Sequence, residues 1–108
     1  MTLDEGRFAK LADETLERIG DAVDDALGDE IDVELQAGIL TMALPGGGQY
    51  VINKHAPNRE IWMSSPASGA THFGYADGKW VSTRDAAKVL EEMLAAELKA
   101  RFGVEVEF

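Results

Sequence analysis

Two stretches with helical periodicity enclose a run of short alternating segments. Phe8, Leu11, Ala12, Thr15, Leu16, Ile19, Val23, Ala26 and Leu27 recur at i, i+3 and i+4, which predicts an amphipathic helix over residues 3–27. Thr2, Leu3, Asp4 and Glu5 stand at its head in the order of a capping box. Toward the other end, Ala86, Leu90, Met93, Leu94 and Leu98 form the apolar stripe of a second helix. Ser82-Thr83-Arg84-Asp85 is its expected cap and Phe102-Gly103 its close. Val104, Val106 and Phe108 are expected to pack back onto the core.

Between the helices the period changes to two. Ile31, Val33 and Leu35 alternate with Asp32, Glu34 and Gln36, the pattern of a half-buried strand. Ala37-Gly38 suits a two-residue hairpin turn. That turn pairs Leu35 with Leu40, Val33 with Met42 and Ile31 with Leu44 on the core face, and leaves Asp32 and Glu34 outward beside Thr41 and Ala43. Pro45-Gly46-Gly47-Gly48 reads as a connector, since neither Lys-Ser/Thr nor a helix follows as phosphate binding would need. Strands are expected at 50–55 and 59–64 around Ala56-Pro57-Asn58, and at 71–75 and 79–81 around Asp77-Gly78. Helix, antiparallel strands, helix is an α+β two-layer sandwich, with both helices on one sheet face and the other face toward solvent. One domain over residues 1–108 is expected, because 108 residues suffice for a single core.

Charge changes this picture most. The formal net charge is -10, and residues 1–34 hold twelve acids and three bases while the remainder holds eight acids and seven bases. At 100° per residue Asp13, Glu14, Glu17, Asp21, Asp24 and Asp25 fall opposite the apolar stripe. Acidic residues continue through Asp29 and Glu30 onto Asp32 and Glu34 of the first strand, so 21–34 is one ridge. Carboxylates at a helix C-terminus oppose its dipole and repel one another, so the ridge works against stability. Such acidity disfavours nucleic acid and anionic membranes as partners. No apolar run approaches the ~20 residues of a membrane span. Residues 1–10 carry neither a signal-peptide nor an Arg-rich transit pattern, so a cytoplasmic location is expected.

The chain has no cysteine, so metal ligands of its own are limited to oxygen and imidazole. Carboxylates without paired histidines suit hard cations, iron, manganese, calcium or magnesium, held loosely with retained water. His55 and His72 have no metal-ligand spacing, and Ser64, Ser65 and Ser68 lack a nucleophile elbow and read as turn and strand-end residues. With Ile52, Lys54, Ile61 and Met63 toward the helices, Asn53, His55, Glu60 and Trp62 fall on the open sheet face. An exposed Trp62 amid polar groups has the character of an interface anchor, while Trp80 is expected in the core.

The run from Tyr50 to Gly69, with Asn53-Lys54-His55-Ala56-Pro57-Asn58-Arg59-Glu60-Ile61-Trp62-Met63-Ser64-Ser65-Pro66 at its centre, closely resembles the signature strand segment of frataxin, including its bacterial CyaY-type members. The resemblance extends to Leu11-Ala12-Asp13-Glu14-Thr15-Leu16, Gly38-Ile39-Leu40-Thr41 and Leu94-Ala95-Ala96-Glu97-Leu98, so it covers nearly the whole chain in order. It implies the frataxin fold and a role in iron-sulfur cluster assembly. Docking on the cysteine desulfurase and scaffold complex goes with that role, as does iron, ferrous or ferric, weakly bound on the first helix and strand. By position Glu17, Asp21, Asp24, Asp25, Asp29, Glu30, Asp32 and Glu34 would be that ridge, open also to other divalent cations. Asn53 and Trp62 would be sheet-face contacts, with His55, Glu60 and His72 beside them. Glu60 and His72 stand where eukaryotic members commonly carry Gln and Arg, which makes the docking face less positive and lets His72 tie docking to pH. A non-catalytic monomer that iron can oligomerise is expected, with a ferroxidase on the ridge as the alternative. The location would be the mitochondrial matrix if the chain is a processed eukaryotic protein.

Overall fold

In the computed structural model, which describes residues 4–108, the order is α1 (Glu5–Leu27), β1 (Asp32–Gln36), β2 (Ile39–Ala43), β3 (Gln49–His55), β4 (Glu60–Ser65), β5 (Gly69–Ala76), β6 (Lys79–Ser82) and α2 (Leu90–Phe102). The six strands form one antiparallel sheet in sequence order, each paired with the next. This is the two-layer α+β arrangement expected from the sequence. No helix among the described residues is long and apolar enough to cross a membrane.

α1 forms because its apolar positions keep helical spacing for six turns. Asp4 caps it, its carboxylate accepting the Arg7 N–H at 2.7 Å. The capping box was expected to start at Thr2, which with Leu3 lies outside the described residues. Phe8, Ala12, Leu16, Ile19 and Val23 are buried, and Gly20 lets α1 approach the sheet, with room for a Cβ only 3.1 Å from Leu40. Ala26, expected in the stripe, is exposed, because Val23 and Leu27 occupy the core side of that last turn.

The sheet is laid down by the expected alternation. Leu40, Met42, Tyr50, Ile52, Ile61, Met63, Phe73 and Trp80 point into the core, each worth about 1.5–3 kcal/mol when fully buried. The hairpin register is as expected: Val33 opposes Met42 and Leu35 opposes Leu40 across Ala37 and Gly38, both at positive φ. Leu35, however, is 42% exposed, since β1 is an edge strand with one flank uncovered. Trp80 is core, donating its indole N–H to Thr15 Oγ1 at 2.9 Å, and Phe8 and Tyr75 meet its ring edge-on.

α2 begins later than its apparent cap. Residues 82–89 are held along the sheet edge by Ser82 N–H donating to Lys88 O at 2.8 Å and by a bridge between Val81 and Val89. Asp85 caps only its own turn, accepting from Ala87 N–H at 3.0 Å, and Ala86 is exposed rather than in the core stripe. Leu90, Leu94 and Leu98 fill the stripe, and Val106 with its neighbours Val104 and Phe108 packs back on the core. Glu97 of α2 accepts from the Tyr50 hydroxyl at 2.8 Å, from Ser65, and from Ser68 at 2.7 Å, tying the helix to the sheet and to the turn after β4.

Candidate functional site

Two surfaces carry the residues singled out from the sequence, and they lie on different parts of the molecule. Glu17, Asp21, Asp24 and Asp25 project from the solvent side of α1, Asp29 and Glu30 from the turn after it, and Asp32 and Glu34 from the outward positions of β1. All eight are exposed, and none forms an ion pair among the described residues. Nothing basic occupies the last turn of α1, so its carboxylates face the negative end of the helix uncompensated. Among the described residues no three acidic or histidine side chains converge closely enough to hold an ion between them. The donor set suits a hard cation taken as loosely held cargo, with water completing its shell. It gives little of the fixed geometry that metal-based redox catalysis would use.

The sheet face is more ordered. Asn53 on β3, Trp62 on β4 and His72 on β5 are direct cross-strand partners, and His55 opposes Glu60 two pairs further along. Trp62 therefore has His72 beside it and His55 on its diagonal, distances at which side chains on one face can meet. The rings stack: His55 lies 3.7 Å from the indole at 9°, and His72 lies 4.0 Å from it at 8°. Glu60 accepts the indole N–H at 2.8 Å and comes within 3.9 Å of His72 Nδ1. Trp62 is thus half-buried between two imidazoles and oriented by a carboxylate, where the sequence alone suggested a free-standing indole. No helix among the described residues covers this face, and the stack stands on the middle strands of the sheet.

The cross-strand row continues past the predicted residues. Ile39 opposes both Gln36 and Asn53, so Gln36, Ile39, Asn53, Trp62 and His72 cross five strands in line. Ile39 is 45% exposed and supplies apolar surface beside the stack. It was missed as a face residue, although the turn at Ala37-Gly38 that sends Leu40 inward also sends Ile39 outward.

The family model described as the Frataxin-like domain matches residues 1–104. The chain belongs to the frataxin-like family. Among curated frataxin relatives, it is 36% identical over 110 residues to the iron-sulfur cluster assembly protein CyaY of Ectopseudomonas mendocina, covering 100% of this chain and 97% of that one. It is 41% identical over 86 residues to the mitochondrial frataxin homolog of Saccharomyces cerevisiae, covering 80% of this chain and 47% of that protein, so the match spans about half the yeast relative's length. Among solved frataxins, that of Psychromonas ingrahamii superposes with a TM-score of 0.85 at 21% identity, covering 97% of each chain, which supports the fold. A trimeric S. cerevisiae frataxin complexed with ferrous iron superposes with a TM-score of 0.76 at 36% identity, covering 95% of this chain and 89% of that one.

Proposed function

We propose that this frataxin-like chain serves iron-sulfur cluster assembly as a binding protein. Its ridge takes up iron weakly, and its open sheet face docks on the cysteine desulfurase and scaffold complex. The observation that carries the reading is the His55–Trp62–His72 stack on an uncovered sheet, oriented by Glu60. A large amphipathic ring held rigid in the free protein loses little conformational entropy on binding, the property of an interface hot spot. Asn53 and His72 flank it in the row, and His55 and Glu60 fix its angle. The names of its bacterial relatives support the pathway, and the yeast frataxin complexed with ferrous iron supports the metal. The lack of a converging ligand set among the described residues speaks against a ferroxidase and for exchangeable cargo on Glu17, Asp21, Asp24, Asp25, Asp29, Glu30, Asp32 and Glu34.

The test joins both surfaces. Trp62→Ala is expected to keep the dispersed amide spectrum of the folded chain and to weaken calorimetric binding to the desulfurase–scaffold complex by about a hundredfold or more, the scale of a hot spot. Unchanged affinity would remove the sheet face from the reading. An anaerobic ferrous titration should broaden amides within residues 21–34 and leave Trp62 Nε1–H untouched; silence across 21–34 at millimolar iron would remove the ridge.

A further inference from the structure

Beyond the sheet edge the row runs into a cleft of about 450 Å³ whose wall includes Ser68, Thr71, His72, Thr83, Arg84 and Lys88. Thr83 N–H donates to His72 O at 2.9 Å, so the cleft begins where the aromatic row ends. Its frame is backbone and one hydroxyl: Ser82 N–H to Lys88 O, Lys88 N–H to Asp85 O, and Arg84 N–H to the Ser82 hydroxyl at 3.2 Å. That leaves the Arg84 and Lys88 side chains free of structural duty, and neither has an ion-pair partner among the described residues. Asp85 is the one carboxylate in the wall, and its Oδ1 accepts from Ala87 N–H in its own turn.

Two cations in one concavity, unpaired among the described residues, are notable in a chain of net charge -10. The acidic β1 edge, with Asp32 and Glu34, lies at the opposite margin of the same sheet. An acidic ligand approaching this face is therefore repelled at one margin and attracted at the other. We propose that the Arg84–Lys88 cleft seats an acidic segment of the protein that docks on the Trp62 face, fixing the direction in which it lies across the sheet. The proposal rests on the sheet-face reading and extends it to a second contact of stated chemistry. A continuous row from Ile39 to His72 gives the orienting apolar contact, and the cleft supplies the charged end stop.

The experiment is calorimetric binding of the full chain to the desulfurase–scaffold complex, comparing Arg84→Glu with Lys88→Glu, Lys79→Glu and Trp62→Ala. Lys79 sits on β6 outside the cleft, so its reversal controls for charge alone. The double reversal is expected to weaken binding about tenfold and flatten its salt dependence, with Lys79→Glu within about twofold of the parent. Equal losses for the cleft and control variants, or no loss in the double reversal, overturn the proposal. If the double reversal perturbs folding, Arg84→Gln with Lys88→Gln is the substitute, with an expected loss of about threefold, and no loss overturns the proposal in the same way. Should Trp62→Ala bind normally, the sheet-face reading fails; should it lose binding while the cleft variants do not, only the cleft fails.

Discussion

The Glu97 carboxylate accepts three hydroxyl groups, and one of them reports on its state. Burial pushes the Tyr50 phenol up to about 12 from an ordinary 10.0, helped by its hydrogen bond to Glu97 and by that carboxylate's charge. The folded chain thus keeps a proton that the unfolded chain releases near pH 10.0. The linked stability is fully present below that pH and is lost as pH rises toward about 12. Tyr50→Phe is expected to cost about 1 kcal/mol at neutral pH through the lost hydrogen bond, and to flatten the fall in stability between pH 10 and 12. Urea unfolding at pH 8 and pH 11 measures both; an equally steep alkaline loss in the variant would contradict this assignment. Trp62 is the other residue whose setting decides its use, since its orientation comes from neighbours on three strands rather than from its own backbone.

At the scale of elements, α1 ends against its own charge. Asp21, Asp24 and Asp25 crowd its last two turns with no basic residue to offset them. Asp24→Asn with Asp25→Asn is expected to raise stability by about 0.5–1.5 kcal/mol while weakening iron binding. A lower melting temperature with full iron binding would contradict the ridge. The helices, the strand run and the Ala37-Gly38 register were legible because each follows a strong period or a turn with a steric reason. The start of α2 was not, because Asp85 makes in its own turn the local bond a helix cap would make, and only the bridge of Val81 to Val89 shows that the chain is still sheet edge. With His72 supplied by the family resemblance, His55 and Trp62 of the aromatic stack could be placed on one face from alternation. Its contacts could not, since they depend on the β4–β5 register set by the turn at 66–68.

For the molecule as a whole, the acids gather at α1 and β1 while the unpaired bases of the cleft sit past β6. Self-repulsion at net charge -10 is screened by salt. Raising sodium chloride from ~10 to ~300 mM, which contracts the screening length severalfold, is expected to raise the melting temperature by a few degrees and shrink the gain from the two ridge substitutions. A melting temperature that falls with salt would place the balance in favourable ion pairs such as Arg18–Glu91 and Lys54–Asp13 instead. The chain's two tryptophans divide along the same architecture, Trp80 sealed beneath α1 and Trp62 clasped between imidazoles on the uncovered side. Each indole is thereby a separate lamp. Emission from Trp80 follows the integrity of the interior, whereas that of Trp62 changes when another surface displaces water from it. Replacing one indole at a time would let folding and docking be watched independently, without attaching a dye.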